Sequence, residues 1–200
     1  GTAATYTFTA QALDLPVSYR IKCLEELGNN LMCGTWQGTN VNDIRIADIF
    51  PWDGSSSTYG QPIVIDDFGV HALKNIGNSL IVLAGISGTI RKSDGSNSYI
   101  IGQIPNSTIN LSNGQYLEFY PNSICHYKNK IFFGVGGGGT QITTDGCGVY
   151  SLSETGRGNI LNLEHIISTG NAGATTTVKI SALLPISIDT LLVGWRDGNT

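Results

Sequence analysis

Four stretches of this chain align without a gap: Leu24-Glu-Glu-Leu-Gly-Asn-Asn-Leu31, Leu73-Lys-Asn-Ile-Gly-Asn-Ser-Leu80, Ile124-Cys-His-Tyr-Lys-Asn-Lys-Ile131 and Leu184-Pro-Ile-Ser-Ile-Asp-Thr-Leu191. Each begins and ends with Leu or Ile and carries Asn or Asp two positions before its end. Each runs on into an apolar stretch closing on glycine, at Gly34, Gly85, Gly134 and Gly194. The anchors Leu31, Leu80, Ile131 and Leu191 are 49, 51 and 60 positions apart. Such a period marks a supersecondary unit that cannot bury its own faces and must stack on its neighbours. The unit reads as a hairpin: an apolar strand, a turn in which Asn or Gly tolerates positive φ, and a second apolar strand buried on both sides. The hairpins fall near residues 22–36, 71–85, 122–134 and 182–195 of a single 1–200 domain.

The remainder of each period should supply two outer strands. In the second repeat these are Thr89–Ser93 and Tyr99–Ile104 around Asp94-Gly95; in the third, Gly148–Leu152 and Ile160–Ile167 around 155–158. The first offers Ile44–Phe50 and Pro62–Asp66, and the fourth stops at Thr200 before any outer strand. Tyr6–Thr9 and Leu13–Tyr19 are candidates to complete the set from the other end. Four blades could close on their own N-terminus, the chain could be part of a larger ring, or the sheets could form a non-closing β-solenoid or sandwich. The second is the expectation, because repeat folds need completion at both ends and no segment here reads as a cap.

Composition agrees with an all-β fold. Charged residues are 13% of the chain, hydrophobic residues 40% and Gly 26 positions, a balance suited to short strands and many turns. The net charge of −4, with eleven Lys and Arg scattered singly, argues against nucleic acid as a partner. No apolar run reaches the roughly 20 residues of a membrane-spanning helix, and Gly1–Thr9 has no signal-peptide pattern.

These hairpins resemble the blades of kelch-like, YVTN-like and sialidase-like β-propellers over most of the chain. Gly146-Cys-Gly-Val-Tyr-Ser-Leu152, the Gly-rich run before it and the low-charge Asn/Ser/Thr/Gly surface also resemble propeller domains of bacteriophage tail and other virion proteins. The resemblance implies a β-propeller of about four blade repeats and a virion setting, with an extracellular, secreted protein as the alternative.

No catalytic constellation emerges. Gly134, Gly136 and Gly139 spell Gly-x-Gly-x-x-Gly after a strand, but the following Thr-Gln-Ile-Thr-Thr-Asp lacks a helix to hold a pyrophosphate, so the run reads as a loop. The Asp-Gly pairs at Asp53, Asp94, Asp145 and Asp197 fall at unequal offsets from the anchors and read as ordinary turns rather than the Asp boxes of sialidase-like blades. No spacing selects two carboxylates for glycoside hydrolysis, and Asp66-Asp67 lacks a calcium loop. His71, His126 and His165 show no metal-ligand spacing. Cys23, Cys33, Cys125 and Cys147 form no Cys-x-x-Cys pair; they allow two bridges in three connectivities, or burial as small hydrophobes.

Trp36 and Trp195 lie just past the closing glycines of the first and fourth repeats, where strands should reach loops of variable length. The expected contact residues are therefore Trp36, Gln37, Trp195, Arg196 and Asp197, with the loop Gly136, Gly137, Gly138 and Gly139; the competing reading packs the indoles between blades. The sequence points to a non-enzymatic module contacting other protein subunits or surface glycan, with a homo-oligomer among the options and no cofactor or metal. A sialidase-like carbohydrate-active enzyme is the alternative.

Overall fold

A computed structural model describes residues 13–16, 19–37, 47–65, 67–85, 88–104, 116–138, 147–155, 158–166 and 178–197. Among them are fifteen strands and no helix. The first sheet joins β1 (Tyr19–Leu27), β2 (Asn30–Gln37), β3 (Ala47–Trp52) and β4 (Ile63–Ile65) in chain order. The second joins β5 (Val70–Ile76), β6 (Ser79–Ala84), β7 (Thr89–Ser93) and β8 (Ser98–Gln103) in the same way. The third orders β10 (Ile124–Tyr127), β11 (Lys130–Gly138), β12 (Gly148–Thr155) and β13 (Gly158–Ile166), with β9 (Tyr116–Glu118) pairing the far end of β11. The fourth is the hairpin β14 (Val178–Ser187) and β15 (Thr190–Asp197).

All pairings are antiparallel, and the four repeats open their sheets as β1–β2, β5–β6, β10–β11 and β14–β15. Turn chemistry sets the register. Gly77-Asn78 and Lys128-Asn129 carry positive φ at both central positions, and Gly28 carries it at the first, which matches the twist of the flanking strands. Ile188-Asp189 does neither, since a β-branched residue resists positive φ; the fourth hairpin instead has a register shift between Pro185 and Ser187. As a result Leu183, opposite Val193, takes the place of Leu24, Leu73 and Ile124, which lie opposite Cys33, Val82 and Phe133. The sequence alignment on Leu184 is thus off by one, and Leu184 turns to the other face.

The sheets stack face to face in chain order, because each central sheet is apolar on both sides. Met32, Ile49 and Ile65 of the first sheet meet Val70, Leu73 and Val82 of the second. From the other face of the second, Ile81, Leu83 and Ile90 meet Ile124, Phe133 and Leu152 of the third. Cys125, Phe132 and Val149 of the third then meet Ile180 and Leu183 of the fourth. Polar contacts stitch the same seams: Lys74 pairs with Glu25 at 3.3 Å, Lys92 with Glu154 at 2.8 Å, and the Leu183 N–H donates to the Asn122 carbonyl at 2.9 Å.

Two glycines let the sheets approach. A Cβ on Gly34 would lie 2.5 Å from Cys23 Sγ and 2.7 Å from Val70 Cγ1, and a Cβ on Gly134 would overlap Ile180. The second repeat differs: its residue at this register is Leu83, and the closing Gly85 instead has φ +80° with the Asp67 carboxylate packed against it.

The outer strands of the second and third repeats appear where the pattern places them, with Thr89–Ser93 matched residue for residue. In the first repeat they are Ala47–Trp52 and Ile63–Ile65, while 44–46 and Asp66 lie outside the described residues. Leu13–Pro16 is not a strand, and Tyr19 opens β1, the first strand of the first sheet, rather than completing another sheet. Tyr6–Thr9 lies outside the described residues.

All four cysteines are buried, and none is in a disulfide. Burial pushes the Cys23 thiol up to about 12 and Cys125 up to about 11, and raises Cys33. The native chain at pH 8 is expected to resist iodoacetamide at every cysteine until it unfolds, and reductant should leave its melting temperature unchanged. Mass spectrometry after a native alkylation pulse checks this; fast labelling of any one thiol would contradict it.

Candidate functional site

The structure separates the residues that sequence spacing groups as a contact set. Trp36 sits on β2 opposite Arg20, half-buried, its indole edge-on to Phe68 at 4.6 Å and to His71 at 5.7 Å. Lys22 Nζ stands 4.6 Å from the same ring. Since Phe68 and His71 belong to the second repeat, Trp36 packs between the first and second sheets. Gln37 pairs with Tyr19 at the end of β2.

Gly136, Gly137 and Gly138 are not a loop. They continue β11 and pair with Glu118, Leu117 and Tyr116 of β9. The Gly-x-Gly reading missed this partner because β9 lies about twenty residues earlier in the chain, outside the local pattern. Gly139 lies outside the described residues.

Trp195 lies on β15 opposite Ile180 and is 50% exposed. Next to it, the Arg196 guanidinium is 6.0 Å from the Tyr120 ring, with Nη2 donating to the Tyr120 hydroxyl at 3.5 Å. Asp197 pairs with Val178 at the strand end. Trp195 and Arg196 are therefore neighbours on the fourth sheet, whereas Trp36 belongs to the seam between the first and second.

Beyond Trp195, the fourth sheet exposes Leu184 (58%), Ile186 and Leu192 (53%). Leu184 and Leu192 are cross-strand partners and share a face. The opposite face, carrying Ile180 and Leu183, is buried against the third sheet. Sequence spacing passed over this surface, because its residues read as the strand interiors that in the other repeats are covered.

The carboxylates have structural work. The Tyr19 hydroxyl donates to Asp48 at 2.5 Å, which together with burial pushes the phenol up to about 12. Asp67 accepts from the Phe68 N–H at 2.7 Å and the Thr89 hydroxyl at 2.8 Å. Asp53 and Asp94 close turns by accepting backbone N–H groups two and three residues on; the Ser56 hydroxyl and then these bonds hold Asp53 below the usual carboxylate range, and the backbone bonds do the same for Asp94. Both Asp-Gly pairs are thus turns, as their spacing predicts; Asp145 lies outside the described residues. Arg20, Arg91 and Arg196 stand on β1, β7 and β15, in three different sheets. Among the described residues no three His, Cys, Asp or Glu side chains form a group suited to a metal ion.

His71 is the residue that sequence reasoning undervalued. It is fully buried beside the rings of Trp36 and Phe119, and neither ring nitrogen has a hydrogen bond of good geometry. Burial, with the Lys22 charge adding to it and the Gly85 backbone opposing, pulls its pKa down to about 3. The imidazole is thus neutral at pH 7.

No family model, no curated protein and no solved structure matches this chain. What the coordinates define is the class: an all-β protein of antiparallel sheets stacked in chain order.

Proposed function

We propose that this chain is a propeller-type contact module, its sheets serving as successive blades, that works without catalysis inside a larger assembly, with a virion tail structure as the setting. The apolar face of β14–β15 carries this reading. Leu184 and its cross-strand partner Leu192 lie more than half exposed there, with Ile186 exposed two residues from Leu184, and clustered exposed apolar side chains on a water-facing sheet mark an interaction surface. Repeat folds of this type use their open faces and variable loops for binding. The chain's low charge and polar Asn/Ser/Thr/Gly surface suit contact with protein subunits or surface glycan.

A hydrolysis screen against fluorogenic sialosides and common glycosides, run beside a glycan array, tests the reading. The expected result is turnover no greater than that of a heat-denatured control. Saturable array binding that Trp195→Ala removes would make glycan the contacted ligand; a blank array leaves protein. Heat-sensitive turnover would sink the contact-module reading in favour of a secreted carbohydrate-active enzyme.

A further inference from the structure

The interface between the first and second sheets recurs between the third and fourth. Ile21, Val70 and Ile180 each stand immediately before a register shift in the first strand of their sheet, and each is followed three positions later by Leu24, Leu73 or Leu183. The latter two pairs face the preceding sheet. Val70 and Leu73 close on Gly34, and Ile180 closes on Gly134. Two residues before those glycines, Met32 and Phe132 are buried. A β-branched residue and a leucine on one sheet thus fit a glycine and a large apolar residue on the sheet before it.

Each half of this interface also stands open once. Ile21 and Leu24 are 46% and 51% exposed, although their counterparts Val70 and Leu73 are buried. At the other end of the stack, Leu192 and Gly194 occupy the register of Met32 and Gly34 and of Phe132 and Gly134. Leu192 is 53% exposed, and the nearest atoms to a Cβ on Gly194 belong to Ser181 and Ala182 of its own sheet. Among the described residues no hydrophobic cluster joins β14–β15 to the first sheet.

We propose that β1 of a second copy of this chain packs on the outer face of β14–β15, so that copies associate head to tail and Ile21 and Leu24 of one cover Gly194 and Leu192 of the next. The occupant follows from the shape: the face needs a strand with a β-branched residue, a bulge and a leucine three positions on, and the molecule carries such a strand uncovered. Contacts of this kind are heterologous, with different surfaces meeting. A second copy is then the first partner of the contact module proposed above, on which this assignment rests.

Sedimentation equilibrium of the full 200-residue chain tests it. The wild type is expected at twice the 21.3 kDa chain mass or more. Ile21→Arg alone and Leu192→Arg alone should each sediment at the single-chain mass, because each leaves one half of every contact broken. An equimolar mixture of the two should regain the two-chain mass, since the intact β1 face of the Leu192→Arg chain meets the intact β15 face of the Ile21→Arg chain. Circular dichroism confirms that each variant is folded, and Leu184→Arg replaces Leu192→Arg if the latter is not. A monomeric wild type would give the face to some other partner and overturn the proposal. So would a variant that stays associated, or a mixture that stays monomeric. Glycan turnover is untouched by any of these results, so the two readings fail separately.

Discussion

Gly134→Val is expected to destabilise the chain by about 3 kcal/mol, at the upper end of what overpacking costs, and to release the fourth sheet first. Even the Cβ of the new residue would overlap Ile180, whose side chain is fully buried and cannot swing away. The strain falls on the seam that holds β14–β15, and a two-stranded hairpin has little stability of its own in water. Limited proteolysis should therefore cut first within residues 178–197, while Gly34→Val should loosen the first sheet from the second through Val70. Urea unfolding gives the magnitude. A loss under about 1 kcal/mol, or first cleavage in the central sheets, would show that close approach at these glycines does not hold the stack together.

Acidification should weaken the fold through His71 well before the carboxylates titrate. Its folded pKa of about 3 lies below the ordinary value of 6.5, so the folded chain binds fewer protons than the unfolded chain across that interval. Stability from this group is complete above pH 6.5 and is lost as pH falls, at up to about 1.4 kcal/mol per unit. Near pH 5 the loss should approach 2 kcal/mol. The Trp36 and Phe119 rings flank the imidazole, the Lys22 cation adds to the effect of burial, and the Gly85 backbone opposes it only in part. His71→Leu removes the titrating group, so its stability should stay level between pH 6.5 and 5 while the wild type declines. Parallel profiles for the two proteins would locate the acid sensitivity elsewhere.

Much of the fold was legible because hairpins are local. Turn pairs such as Gly77-Asn78 and Lys128-Asn129 declare themselves by side-chain chemistry, and the apolar runs after them are continuous because strands buried on both faces have no polar side. Pro185 shows where such reading stops. The alignment set Leu184 beside Leu73 and Ile124, but the shift between Pro185 and Ser187 moved the pairing by one residue and turned Leu184 outward. A one-residue slip exchanges the faces of a strand, and no neighbouring residue announces it. The candidate contact set was less legible still. Trp36 lies two residues past Gly34 and Trp195 one residue past Gly194, opposite Arg20 and Ile180, so the two indoles belong to opposite faces of their sheets; the first packs against Phe68 and His71 and the second is half exposed.

The amino-acid sequence by itself determined most of the strands and their pairing into hairpins, since these follow from side-chain volume, alternation and turn preference over a few residues. Tertiary packing alone decided that Gly136–Gly138 pair with β9, that His71 is sealed without a partner, and that Ile21, Leu24, Leu184 and Leu192 stay in water. Burial is a property of what lies across an interface, and the same leucine is core or surface according to whether another sheet stands in front of it.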